Sequence, residues 1–112
     1  MITTEFRCQT KYGMGVVCVG FYGGNDGIAI SLVDDTSMEP LATCTVNLVP
    51  YGSRPLLPNE VWLKGWSGNE GLPEALEEAG VLKLTGETMP TGFVTAQLAI
   101  LDPKIMEQTH HD

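Results

Sequence analysis

Residues 16–33 read Val16-Val17-Cys18-Val19-Gly20-Phe21-Tyr22-Gly23-Gly24-Asn25-Asp26-Gly27-Ile28-Ala29-Ile30-Ser31-Leu32-Val33, two apolar runs on either side of a turn rich in glycine, Asn and Asp. Such turn residues accept positive φ, so the second run folds back on the first as a hairpin partner. The first run is apolar on both sides, with Val17, Val19 and Phe21 projecting opposite Val16, Cys18 and Tyr22. A strand buried on both faces belongs in the middle of a sheet. Upstream, Glu5-Phe6-Arg7-Cys8-Gln9-Thr10-Lys11 alternates with the period of two expected of a half-buried strand. Downstream, Asp34 to Pro40 is a polar turn, and Leu41 to Leu48 resumes the alternation with Ala42, Cys44, Val46 and Leu48 on one side. These four strands form an antiparallel meander.

From Val49 to Glu60 the pattern breaks, because Pro50, Pro55 and Pro58 cannot donate to a ladder. A loop of this length commonly carries function or disorder. Val61-Trp62-Leu63-Lys64 reads as a brief strand and Gly65 to Asn69 as a turn. Leu72, Ala75, Leu76 and Ala79 then fall at helical spacing, with Gly80 placed to end the helix in the left-handed conformation. Two starts are open: Pro73 at the first helical position after Leu72, or Asn69 as the cap with Pro73 in the first turn. Val81 to Leu84 is short and extended, Thr85 to Gly92 reads as a turn around Met89-Pro90, and Phe93 to Leu101 alternates as a last strand. The expected fold is a single α+β domain over residues 1–104. It is an antiparallel β-meander of about five strands with one short helix packed on the sheet through Leu72, Leu76 and Ala79, followed by a frayed tail over 105–112. One two-turn helix cannot cover both sheet faces, so the sheet curls over itself or the chain forms a homodimer.

The chain has 112 residues, 14 acidic and 6 basic, for a formal charge of −8. Arg7, Lys11, Arg54, Lys64, Lys83 and Lys104 stand singly, which leaves no basic stripe to displace phosphate counterions and argues against direct nucleic-acid binding. No secretory signal pattern opens the sequence, and no apolar run approaches the roughly 18 residues of a membrane helix. A cytoplasmic protein without membrane contact is expected. Cys8, Cys18 and Cys44 are odd in number and widely spaced, which suits buried reduced thiols rather than a disulfide framework or a metal knuckle. A nucleophilic triad needs a base near its Ser or Cys, yet the two histidines, His110 and His111, lie at the end of the chain. Asp34, Asp35 and Glu39 share a polar turn that neither desolvates nor couples them, so acid–base catalysis is not expected. The Gly23–Gly27 loop lacks the helix and lysine of a phosphate cradle. Neither an enzyme nor a cofactor or metal site is expected.

Two stretches, Thr45-Val46-Asn47-Leu48 and Leu57-Pro58-Asn59-Glu60 through Trp62-Leu63-Lys64-Gly65-Trp66-Ser67-Gly68-Asn69-Glu70-Gly71 to Leu76-Glu77-Glu78-Ala79-Gly80, together resemble a domain-of-unknown-function family. Its members are small bacterial proteins carried by conjugative plasmids, integrative elements and phages. The resemblance spans about Gly27 to Val94, with the Asn-Glu-Gly turn its most specific piece, and it supplies no catalytic residue. What it implies, joined to the acidic charge, is an anti-defence or accessory inhibitor that binds a host protein with a basic surface, such as a nuclease or a CRISPR component. A compact acidic domain is steered toward such a surface by long-range attraction. The candidate contact residues are Tyr51, Arg54 and Trp66, of the types enriched at binding hot spots, and Glu70, Glu74, Glu77 and Glu78 around the helix. The alternative is a small-ligand or nucleotide-binding protein with a pocket near Tyr51–Trp66.

Overall fold

The computed structural model describes residues 2–24 and 27–108; Asn25 and Asp26 of the expected turn, and His110 and His111, lie outside the described residues. Strand β1 (Ile2–Thr10) pairs with β2 (Gly13–Phe21), β2 with β3 (Ile28–Asp34), and β3 with β4 (Pro40–Thr43), all antiparallel. The expected β2–β3 hairpin is present, with Val17 opposite Leu32 and Val19 opposite Ile30, and the Tyr22 amide donates to the Gly27 carbonyl at 2.7 Å. A second sheet has the order β5 (Glu60–Leu63), β7 (Val94–Leu101), β6 (Leu82–Thr91). Helix α1 (Leu72–Glu78) precedes β6, α2 (Pro103–Glu107) follows β7, and a single 3₁₀ turn covers Val49–Tyr51.

The fold is thus α+β and antiparallel, but the described residues form seven strands in two sheets rather than a five-stranded meander. The chain leaves the first sheet after Thr43 and at once pairs with β5: Thr45 bridges Leu63, the Val46 amide donates to the Trp62 carbonyl at 3.0 Å, and the Lys64 amide donates to the Cys44 carbonyl at 2.9 Å. At this seam Thr45 Oγ1 accepts the Ile30 amide at 3.1 Å and lies 2.9 Å from the Tyr22 hydroxyl. The two sheets then face one another across a common core of Val17, Val19, Ile30 and Leu32 from the first and Val61, Leu63, Ala99 and Leu101 from the second. The sheet face that one helix cannot cover is thus covered by a second sheet of the same chain, not by curling of a single sheet. Helix α1 packs against both β1 and β6 and inserts Leu72 and Leu76 into the core, whereas Ala79, expected on the same packed face, lies past the last helical turn and is exposed.

Thr85 to Gly92, expected as a turn, is the second half of β6. Gly86, at φ 88°, lies where the register shifts between Leu84 and Thr88, so the strand bends and continues. Pro90 is tolerated because β6 is an edge strand that needs no outward donor there. The frayed tail is also corrected up to Gln108. Asp102 accepts the Lys104 amide and caps α2, Ile105 is fully buried in the core, and Gln108 Oε1 accepts the Glu5 amide at 2.7 Å. Helix α1 begins after Gly71, with Pro73 in its first turn. Asn69 is not its side-chain cap: buried, it donates through Nδ2 to the carbonyls of Thr43 at 2.7 Å and Lys64 at 3.1 Å, pinning the turn before the helix to the seam between the sheets. Gly80, at φ 78°, ends the helix as expected, its amide donating to Glu77 and that of Val81 to Leu76.

Candidate interaction surface

The Pro-rich loop lies over the outer face of the second sheet. There Leu48, Trp62, Ala96 and Leu98 form a small buried cluster against which Val46, Leu56, Trp66 and Met89 pack. Trp62 is 3% exposed, and its indole N–H donates to Ser53 Oγ at 2.8 Å. Arg54 fastens the loop beside it. Its guanidinium reaches Glu60 at 2.9 and 3.1 Å and Glu87 at 3.1 Å through two nitrogens, so one cation holds two carboxylates in paired geometry. Glu60 also accepts the Leu57 amide at 2.7 Å. The Arg54 hydrogen bonds, opposed by desolvation, hold the Glu60 carboxyl below its usual range, and the two carboxylates push the Arg54 pKa up.

Among the candidate contact residues, Arg54 is therefore engaged within the chain and Trp66 is half-buried on the outer cluster, while Tyr51 is 78% exposed on the 3₁₀ turn. The glutamates around α1 divide in the same way. Glu77 accepts the Leu84 amide at 2.8 Å and ties the helix to β6. Glu70 accepts the Gly68 amide at 3.0 Å and lies 4.0 Å from Lys11. Hydrogen bonds from its own amide and that of Gly68, with a smaller contribution from Lys11, keep its carboxyl below the ordinary range. Glu74 and Glu78 are exposed, one helical turn apart, on the side opposite Leu72 and Leu76.

One arrangement has no signal in the linear sequence. The β1–β2 turn, the β3–β4 turn and the turn before α1 converge at one end of the molecule. The Tyr12 hydroxyl donates to the Gly68 carbonyl at 2.8 Å, Lys11 approaches Glu70, and the Asp35 amide donates to Met14 at 3.2 Å. Asp34 Oδ1 accepts the amides of Ser37 and Thr36, which lowers its carboxyl pKa. Between the β1–β2 turn and the turn before α1 opens a recess of about 200 Å³, with Thr10, Ala42, Leu72 and Ala75 in its wall and Tyr12 and Glu70 at its rim. It lies between the ends of β1 and β4 in the first sheet and the start of α1. A second depression, about 370 Å³, runs along Pro55 to Glu60 beside Gly27 and Ile28; neither Tyr51 nor Trp66 lines it.

The three thiols are buried and unbridged, and burial pushes Cys44 up to about 12, far from the thiolate that nucleophilic chemistry requires. Among the described residues no three His, Cys, Asp or Glu side chains gather as a metal site, and no helix is long and apolar enough to cross a membrane. Compared with known proteins, the chain matches no family model, no curated protein and no solved structure.

Proposed function

We propose that this protein is a non-enzymatic interaction module whose acidic surface binds a protein with a basic face. The observation that carries this reading is the outward side of α1. Glu74 and Glu78 stand there as exposed like charges, while the helix is anchored without them by Leu72, Leu76 and the Glu77 bond to Leu84. Like charges one turn apart weaken a helix, and a cationic partner turns that cost into attraction. The partner class is a host nucleic-acid-processing protein, a nuclease or CRISPR component, whose basic groove is the type of surface to which an acidic domain is steered. An anti-defence role is the form of this reading that the resemblance of the quoted residues to small mobile-element proteins implies. Affinity capture from the host cytoplasm, followed by titration of the captured protein, tests the reading. Affinity that falls steeply with rising salt is the expected result, and salt-insensitive binding, or capture of no basic protein, overturns it.

A second reading, a small-ligand protein, is favoured by the trough along Pro55–Glu60, whose volume of about 370 Å³ falls within the range of ligand pockets. A thermal-shift panel separates the two, since a metabolite that binds the folded state raises its melting temperature.

A further inference from the structure

The recess between the first sheet and the start of α1 differs in character from the outer side of that helix. Its volume of about 200 Å³ lies below the roughly 300–1,000 Å³ of pockets for drug-sized ligands, so it takes one long side chain. Its wall is apolar at Ala42, Leu72 and Ala75, while its rim carries the Glu70 carboxylate and the exposed Tyr12 ring. An apolar wall beneath a charged rim matches a side chain with an alkyl stem and a cationic head. The chain itself marks where the cation sits. Lys11 Nζ lies 5.3 Å from the centre of the Tyr12 ring and 4.0 Å from Glu70 Oε2, at the outer limit of an ion pair and with both side chains more than half exposed. A contact so loose and so exposed contributes little and is easily exchanged. A guanidinium competes well for this place, because it stacks on an aromatic face and pairs with a carboxylate through two parallel hydrogen bonds.

We infer that the mouth formed by Tyr12, Ala42, Glu70, Leu72 and Ala75 is a socket for a single arginine side chain of a protein partner, with Lys11 as its internal competitor. The inference rests on the interaction reading above and names its point of contact. The partner's arginine stem lies along Leu72 and Ala75, and its head displaces Lys11 from the Tyr12 ring and Glu70. Asp34 and Asp35, on the turn that joins this end of the sheet, add to the attraction without touching the head.

The test uses the full chain and a short amidated peptide of alternating arginine and serine, followed by fluorescence anisotropy and amide chemical shifts at low salt. Shifts concentrated at Tyr12, Gly68, Glu70, Gly71 and Ala75 are expected. Glu70→Gln weakens binding by up to about fivefold, and Lys11→Ala strengthens it by a similar factor, the range of one exposed charge pair. Ala75→Met fills the recess and also weakens binding. Glu107→Gln, which makes the same change in net charge on α2, moves the affinity less than Glu70→Gln. Peptide that binds with its shifts elsewhere, or with Glu70→Gln and Glu107→Gln equal in effect, overturns the socket and leaves the interaction reading standing. So does a failure of the peptide to bind while a captured basic protein still binds in a salt-dependent way. Loss of that protein binding as well removes the wider reading.

Discussion

The Pro-rich loop and helix α1 both hold candidate contact residues, yet they deploy charge in opposite ways. In the loop, Arg54 is satisfied by Glu60 and Glu87, so the segment that most resembles a free binding loop is fastened to the sheet by its own cation. On α1 the fastening is apolar, through Leu72 and Leu76, and the charges at Glu74 and Glu78 are left to solvent. A charged residue near aromatic side chains is therefore not evidence of a contact surface until its partners within the chain are known. The comparison also predicts different failures: the α1 side should break when its buried carbon is removed, and the loop side when its carboxylates are protonated.

The largest effect is expected at Leu76, which is fully buried where α1 bridges β1 and β6. Leu76→Ala removes buried methyl groups and leaves a cavity, at a cost of about 2–5 kcal/mol. Urea denaturation checks this, and the loss should change little with pH or salt. Next is Asn69→Ala, which deletes both Nδ2 hydrogen bonds to the seam carbonyls of Thr43 and Lys64. Leaving such groups without a partner costs about 1–3 kcal/mol. Amide exchange should rise first in the turn before α1, while the β2–β3 hairpin keeps its protection; faster exchange at Val17 or Leu32 would show that Asn69 does not act at the seam alone.

Those two positions also show what was legible in the sequence. Leu76 follows from spacing alone, since Leu72, Ala75, Leu76, Ala79 and Gly80 are local signals of one helix and its end. The β2–β3 hairpin is equally local, with two apolar runs around a turn. Asn69 lies in a recognisable turn, but its partners come from β4 and from the residue after β5, so proximity in sequence points to a cap when the fold uses it as a rivet. The Arg54–Glu87 pair spans 33 positions and is invisible for the same reason. Pro90 and Gly86 read as turn residues because edge position is a property of the whole sheet, not of the segment that holds them. Ile105 stands between Lys104 and Met106 in a polar stretch, and no periodicity marks it, although it is fully buried.

Acidification sharpens the contrast from the loop side. The folded Glu60 carboxyl is held below its ordinary value of 4.5, chiefly by Arg54. Its contribution to stability is therefore complete above that value and is lost as pH falls from there through the folded pKa. Wild-type protein should lose more stability than Glu60→Gln when denaturation is compared between about pH 7 and pH 3, and at neutral pH the substitution should be the less stable of the two. Asp34 and Glu70, whose carboxyls are also held low, titrate in both proteins and cancel in the difference. The effect is smaller than that at Leu76 because Arg54 is 41% exposed and water screens its pairs. Equal acid sensitivity in the two proteins would mean that the clamp does not hold the loop in solution.

The smallest effect has the opposite sign. Glu78 sits in the last turn of α1, one turn after Glu74 and just before the left-handed Gly80, so it meets both a like charge and the negative end of the helix dipole. Glu78→Gln should raise stability by about 0.2–0.5 kcal/mol, a gain that shrinks as salt screens exposed charges. If the outward side of α1 exists to meet a cationic partner, the same substitution should weaken partner binding at low salt. Opposite movement of stability and affinity is what a surface kept for binding would show. If stability rises and affinity does not fall, Glu78 is solubilising charge, and the attraction must be sought in the recess at the start of α1.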